Sequence, residues 1–170
     1  MEKYKRFWLL GMILLLTAGL VACGDDDDDD PSPQVQKKVY NLNAVGESGV
    51  SGTVTFTRQT DGFTLIEIDL SGTTAGNSHP SHIHANSASE GGGIVIDLTN
   101  VDGTTGESST LVTEKNDGAA ITYEELIAFD GYVNVHLSAS ELSTLVAQGN
   151  IGSNASGTSN GGNGGGVPGY

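Results

Sequence analysis

Thiols, cations and aromatic rings are all scarce in this chain. Of its 170 residues one is cysteine, seven are lysine or arginine, and 6% are aromatic, with a single tryptophan. One cysteine excludes an internal disulfide and any multi-thiolate metal site. The shortage of cations sets 7 basic against 21 acidic residues, a net charge of −14. Glu2, Lys3, Lys5 and Arg6 belong to the first few residues, so the chain from residue 23 onward holds 20 acidic and 4 basic residues, or −16. Six of those acids form one run, and without them the charge is still −10. Such a surface repels phosphate backbones and anionic lipid, which excludes nucleic acid as a partner. Long apolar runs are missing as well. The longest, Phe7 to Val21, has 15 residues, against the ~20 that a spanning helix needs. It reads as the apolar part of a secretory signal, behind Lys3, Lys5 and Arg6.

Leu20-Val21-Ala22-Cys23 resembles the lipobox of bacterial lipoproteins. That resemblance implies a signal peptide over 1–22 and acylation of Cys23, which leaves no thiol for catalysis. Any membrane association then comes from the lipid chains. The place expected is the bacterial cell envelope, at the outer membrane, on its periplasmic or its outer face. Six aspartates and two prolines follow in "GDDDDDDPSPQ". Like charges so close together repel and bury no apolar area, so residues 23–36 read as an extended tether. The run also resembles the acidic export signals of surface lipoproteins in the Bacteroidota.

From about residue 37 the pattern becomes short runs of Val, Ile, Thr, Tyr and Phe with period-two alternation, broken by Gly, Asn, Asp and Ser. Strands are expected at 37–45, 51–59, 64–72, 82–86, 93–101, 108–115 and 132–138. In "TLIEIDL", Ile66, Ile68 and Leu70 share one face and Glu67 and Asp69 the other, as in a half-buried antiparallel strand. Two short connecting helices are expected. One follows Thr122, three residues before Glu125 in a capping-box spacing. The other runs through "SASELSTLVAQG", from Ser140 as N-cap to Gly149. The fold class is all-β, a Greek-key sandwich or barrel of immunoglobulin-like architecture. The domain spans 37–159, with "NASGTS" able to add a closing edge strand. Residues 160–170 form a glycine-rich tail expected to be disordered.

Three of the four histidines fall within six positions, at 79, 82 and 84, and the fourth lies in "YVNVHL". Alternation puts His82 and His84 on one side of a strand, and Tyr132, Asn134 and His136 on the non-core side of another. If the two strands are neighbours, three imidazoles meet. Other constellations carry less. Ser138, Ser140 and Ser143 lack a nucleophile elbow, "GESGVSG" and "SEGGG" lack a phosphate-loop lysine, and Glu124 and Glu125 diverge on a helix.

The stretch from Ser51 to Gly92 is similar to the first half of copper-zinc superoxide dismutases, and "YVNVHL" to a later strand of that family. The similarity implies that His82, His84 and His136 match copper ligands and that His79 matches a histidine beside the site. The family's disulfide, zinc cluster, bridging histidine and activity-loop arginine have no counterparts here. "SHIHANSASEGGGIVIDL" with "GYVNVHL" resembles the chordin-type (CHRD) domain more closely, over about residues 38–159, although "LVAQGNIGSNASGT" departs from it. That resemblance implies a superoxide-dismutase-like β-sandwich with no established catalysis.

Two readings of the histidines stand side by side. In one they bond to backbone carbonyls, to Asn134, Asn86 or Ser81, or to nearby carboxylates, in a non-enzymatic module that binds an extracellular protein or a glycan. In the other they hold a single copper ion, or zinc, with an open fourth position and His79 orienting a neighbour.

Overall fold

The computed structural model describes residues 35–155. The signal peptide, Cys23, the aspartate run and the glycine-rich tail lie outside the described residues. Eight strands and one helix follow in order: β1 (Lys37–Ala44), β2 (Ser51–Arg58), β3 (Thr64–Ser71), β4 (Ser78–Ala85), β5 (Ile94–Asp102), β6 (Glu107–Val112), α1 (Tyr123–Ala128), β7 (Asp130–His136) and β8 (Leu145–Gly152). Every pairing is antiparallel, in the order β5-β4-β7-β8-β1-β2-β3-β6.

The sheet curls into a nearly closed barrel. Its two edge strands, β5 and β6, come together without a ladder: the Thr99 amide donates to Thr110 Oγ1 at 2.9 Å. Asn116 also covers the β5 edge, accepting from the Asp97 amide and donating its own amide to the Val95 carbonyl. The open edge is thereby shielded from pairing with another chain. Strand β7 lies beside β4 rather than β6, which is the long return of a Greek key.

Alternation fills the interior. Phe56, Ile66, Ile68, Ile83, Val133, Val135 and Ile151 are buried to 1% exposure or less, and Glu67 and Asp69 face out as expected. The first expected helix forms with its capping box intact: Thr122 accepts from the Glu125 amide and the Glu125 carboxylate accepts from the Thr122 amide. Among the described residues no helix is long and apolar enough to cross a membrane.

The second expected helix does not form. Residues 138–144 make two successive turns, with Glu141 donating to Ser138 and Thr144 to Glu141, and the chain then enters β8. Leu142, the first residue of the supposed apolar stripe, is 50% exposed. Ala147, Gly149 and Ile151 bury at period two instead. Strand β8 pairs with both β7 and β1, so tertiary pairing overrides a short helical pattern. Gly149, expected as a helix stop, is a strand residue at a close approach: an added Cβ would stand 2.0 Å from the Asn41 carbonyl oxygen. Among the described residues the last strand is 145–152; most of "NASGTS", expected as an edge strand, lies outside them.

Strand β4 starts four residues before its expected position. Its pairing with β5 slips between His79 and Ser81, where Pro80 offers no amide to the ladder.

Candidate metal centre

Strands β4 and β7 are direct neighbours, with His82 opposite Asn134 and His84 opposite Tyr132. The period-two argument therefore holds across strands, and the imidazoles at 82, 84 and 136 converge. Their candidate coordinating atoms all lie within 4.8 Å of one another, close enough for modest ring rotation to bring them onto one ion. His82 Nδ1 is 3.2 Å from His136 Nε2. Two nitrogens each 2.0–2.1 Å from a tetrahedral ion stand about 3.3 Å apart.

Two of the three outer nitrogens face an acceptor. His84 Nδ1 donates to the Gly92 carbonyl at 3.0 Å, which leaves the lone pair on Nε2. His82 Nε2 lies 3.8 Å from Asp97 Oδ1. His136 Nδ1 is buried and makes no hydrogen bond of good geometry, yet the Leu142 backbone is near enough to raise its proton affinity.

Without an ion this set is frustrated. The 3.2 Å contact between His82 and His136 needs one N–H between two ring nitrogens. If His136 supplies it, its Nδ1 becomes a lone pair buried with no donor. If His82 supplies it, the His82 Nε2 lone pair faces the Asp97 carboxylate. With three lone pairs turned inward on a cation, the outer N–H of His84 keeps the Gly92 carbonyl and that of His82 turns toward Asp97, the kind of support by which ligating histidines are usually held, while that of His136 stays buried without a hydrogen-bond partner. The residues present therefore fit a single ion.

Burial favours the neutral, ligating form. It holds the His82 proton affinity below that of free histidine, with His136 and His84 adding to the effect and Asp97 opposing it. His136 is lowered by burial first and by His84, against the Leu142 backbone.

His79 stands apart from the three. It is 2% exposed, and its Nδ1 donates to the His136 carbonyl at 3.0 Å, tying β4 to the end of β7. Asn86 and Ser81 do not reach the histidines: Asn86 donates to the Gly91 carbonyl and Ser81 to that of Thr99. Asn134 does reach them, with Nδ2 3.5 Å from His84 Nε2. Tyr132 stacks on His84 with centroids 4.9 Å apart. Glu124 and Glu125 diverge as expected: the first pairs with Arg58 at 2.7 Å and the second caps α1.

Sequence reasoning missed the supports. Asp97 meets His82 through the β4–β5 register, which two bulges displace from simple hairpin counting. Gly92 reaches His84 because the 86–93 turn folds back over β4. Asn86 in the left-handed region (φ 67°), and Ser87, which bonds Glu90, shape that turn. Asn86 stands four residues before the start of "EGGG", and the glycines drew the turn signal away from it.

Comparison with known proteins adds a family. The CHRD domain family matches residues 36–143, more than half of the chain. No curated protein matches significantly. Among solved structures, superoxide dismutase 5 of Candida albicans in its Cu(II) form aligns at 15% identity over 72% of this chain and 96% of that one, with a TM-score of 0.43. Two point mutants of the same enzyme align at 14% and 16% identity, over 76% and 75% of this chain and 98% and 99% of theirs, each with a TM-score of 0.44.

Proposed function

This chain belongs to the CHRD domain family, and on that premise we propose that it is a non-enzymatic binding module of the cell envelope whose ligand is one copper ion, held by His82, His84 and His136. The observation that carries this reading is the convergence of the three rings: their candidate coordinating atoms lie within 4.8 Å of one another, and their lone pairs can all turn inward only if something positive sits between them. Imidazole suits copper and zinc, with copper ahead for a three-nitrogen set on the basis of affinity order. An ion so held keeps an open position for a ligand from solution. His79 orients His136 through its backbone carbonyl rather than by coordination.

The test is copper titration of protein purified without a histidine tag. One copper per chain is expected, together with a raised melting temperature from binding to the native state alone. Both should disappear in the His82→Ala/His84→Ala variant. An unchanged melting temperature on adding copper would count against the reading.

The anchor is part of the same proposal. Lipid on Cys23 would hold the domain at the outer membrane, on its periplasmic or surface side, through the aspartate-rich tether. Fatty-acid labelling should vanish in Cys23→Ser, and equal labelling of the two proteins would remove the anchor.

A second reading, adhesion to a glycan or an extracellular protein, draws on the outer face of β2, β3 and β6. A groove of about 520 Å³ there presents Thr53, Thr55, Glu67, Asp69 and Glu107. Glycan-array binding that survives loss of the three histidines would favour it.

A further inference from the structure

We propose that Asn134 makes the open side of the three-histidine site a receptor for a small anion that accepts a hydrogen bond. The inference rests on the copper-binding reading and deepens it.

It begins with a chain of hydrogen bonds whose direction is fixed at one end. A carbonyl can only accept, so the 3.0 Å contact with Gly92 puts the His84 proton on Nδ1 and the lone pair on Nε2. The neighbouring atom 3.5 Å away must then be the Asn134 amide nitrogen, acting as donor. That orientation turns Asn134 Oδ1 the other way, where Gln148 Nε2 donates to it at 2.7 Å. Both ends of the Asn134 amide are thus specified, and its N–H₂ group faces the site.

Asn134 is 7% exposed, so little of its side chain meets bulk water. In the metal-free state the acceptor is His84 Nε2, at the long limit of a hydrogen bond. When His84 gives that lone pair to an ion, the acceptor is lost. Buried donors without partners are rare in folded proteins. The group able to replace it has to lie beside Nε2, which is where a ligand from solution on the ion's open side would sit. Three neutral imidazoles leave the ion's own charge uncompensated, which favours an anion there over the water that three-histidine sites commonly hold. The amide selects anions with an acceptor atom next to the coordinating one.

Azide is a suitable probe, because its charge-transfer absorption with copper(II) reports binding apart from any activity. Copper(II) is loaded on the full chain, its stoichiometry is measured, and azide is titrated by visible absorption and electron paramagnetic resonance. Asn134→Leu, similar in size and lacking the donor, should weaken azide about tenfold, the worth of one good hydrogen bond. Gln148→Leu, which frees the amide to rotate, should weaken it by a smaller factor. Asn134→Leu that holds copper and binds azide as tightly as wild type would overturn the proposal while leaving the copper site standing. If Asn134→Leu fails to fold, unchanged azide affinity in Gln148→Leu overturns it instead. A wild-type chain that takes up no copper defeats the functional reading, and this inference with it.

Discussion

Replacing Gly92 by alanine should undo the support of His84 without altering an imidazole. An added Cβ would stand 2.0 Å from the Ala85 carbonyl oxygen and 2.8 Å from its carbon. Both are backbone atoms of β4, so relief has to come from moving the 86–93 turn. Of the hydrogen bonds that fasten that turn to the sheet, three involve Gly92 or Gly93: the Ala85 amide to the Gly93 carbonyl at 3.0 Å, the Gly92 amide to Tyr132 Oη at 3.2 Å, and His84 Nδ1 to the Gly92 carbonyl at 3.0 Å. At about 0.5–1.5 kcal/mol net for each, their loss amounts to about 1.5–4.5 kcal/mol of stability. Loss of the outer partner of a ligating histidine typically lowers metal affinity about 10–100-fold. Gly93→Ala is the matched control, since an added Cβ there meets nothing within 4 Å. That variant should stay within about 0.5 kcal/mol of wild type. Urea denaturation and copper competition titration of the two variants measure both effects. Equal stability and equal copper affinity for Gly92→Ala and Gly93→Ala would refute the account of the turn.

Because burial lowers the proton affinities of His82 and His136, the unfolded chain binds protons that the folded chain refuses below about pH 6.5. Stability present above that value is therefore lost as pH falls through it toward the lowered folded values; a metal-free melting temperature that stays flat from pH 7.5 to 5 would contradict this. The lowered carboxylates Glu90, Asp102, Asp117 and Glu125 owe their shifts first to hydrogen bonds with Ser87, Thr104, Ala119 and Thr122. Their contribution is lost only in the more acidic window below about pH 4.5. Thr122→Ala removes the cap of α1 and should cost about 1 kcal/mol in urea denaturation. Ile83→Ala opens a cavity at a fully buried position on the core side of β4; about 2–5 kcal/mol is expected, and a value under 1 would show that the barrel interior collapses around it.

Much of the barrel was legible because its strands bury one face. Ile66, Ile68 and Leu70 alternate with Glu67 and Asp69, and Val133 and Val135 alternate with Asn134 and His136, so period two marks both the strands and the side on which the histidines emerge. The cap at Thr122 is a local motif and was equally readable. Strand β8 was not: its turn-rich entry mimics a helical stripe, and only its pairing with β7 and β1 together makes it a strand. The site's supports share that difficulty. Gly92 and Asp97 reach the histidines through a folded-back turn and a bulged register, and Gln148 reaches Asn134 from a third strand; none of these leaves a periodic trace.

Charge decides what a filled centre is suited to do. The four basic residues from Lys37 onward lie on β1, on β2 and after β6, none of them on β4 or β7. Two of them are engaged with carboxylates: Arg58 with Glu124 and Lys115 with Asp117. Asp97, 68% exposed, stands at the mouth of the site beside His82. An approaching anion meets a negative field with no cationic path, which slows encounter. At physiological salt that field decays over about 8 Å, so it has little hold on an anion already in contact with the ion and the Asn134 amide. Slow entry with firm retention suits a site that stores or senses its ligand, and works against one that must turn over a diffusing anionic substrate. The sparse cations of the surface are thus in keeping with the binding role proposed above.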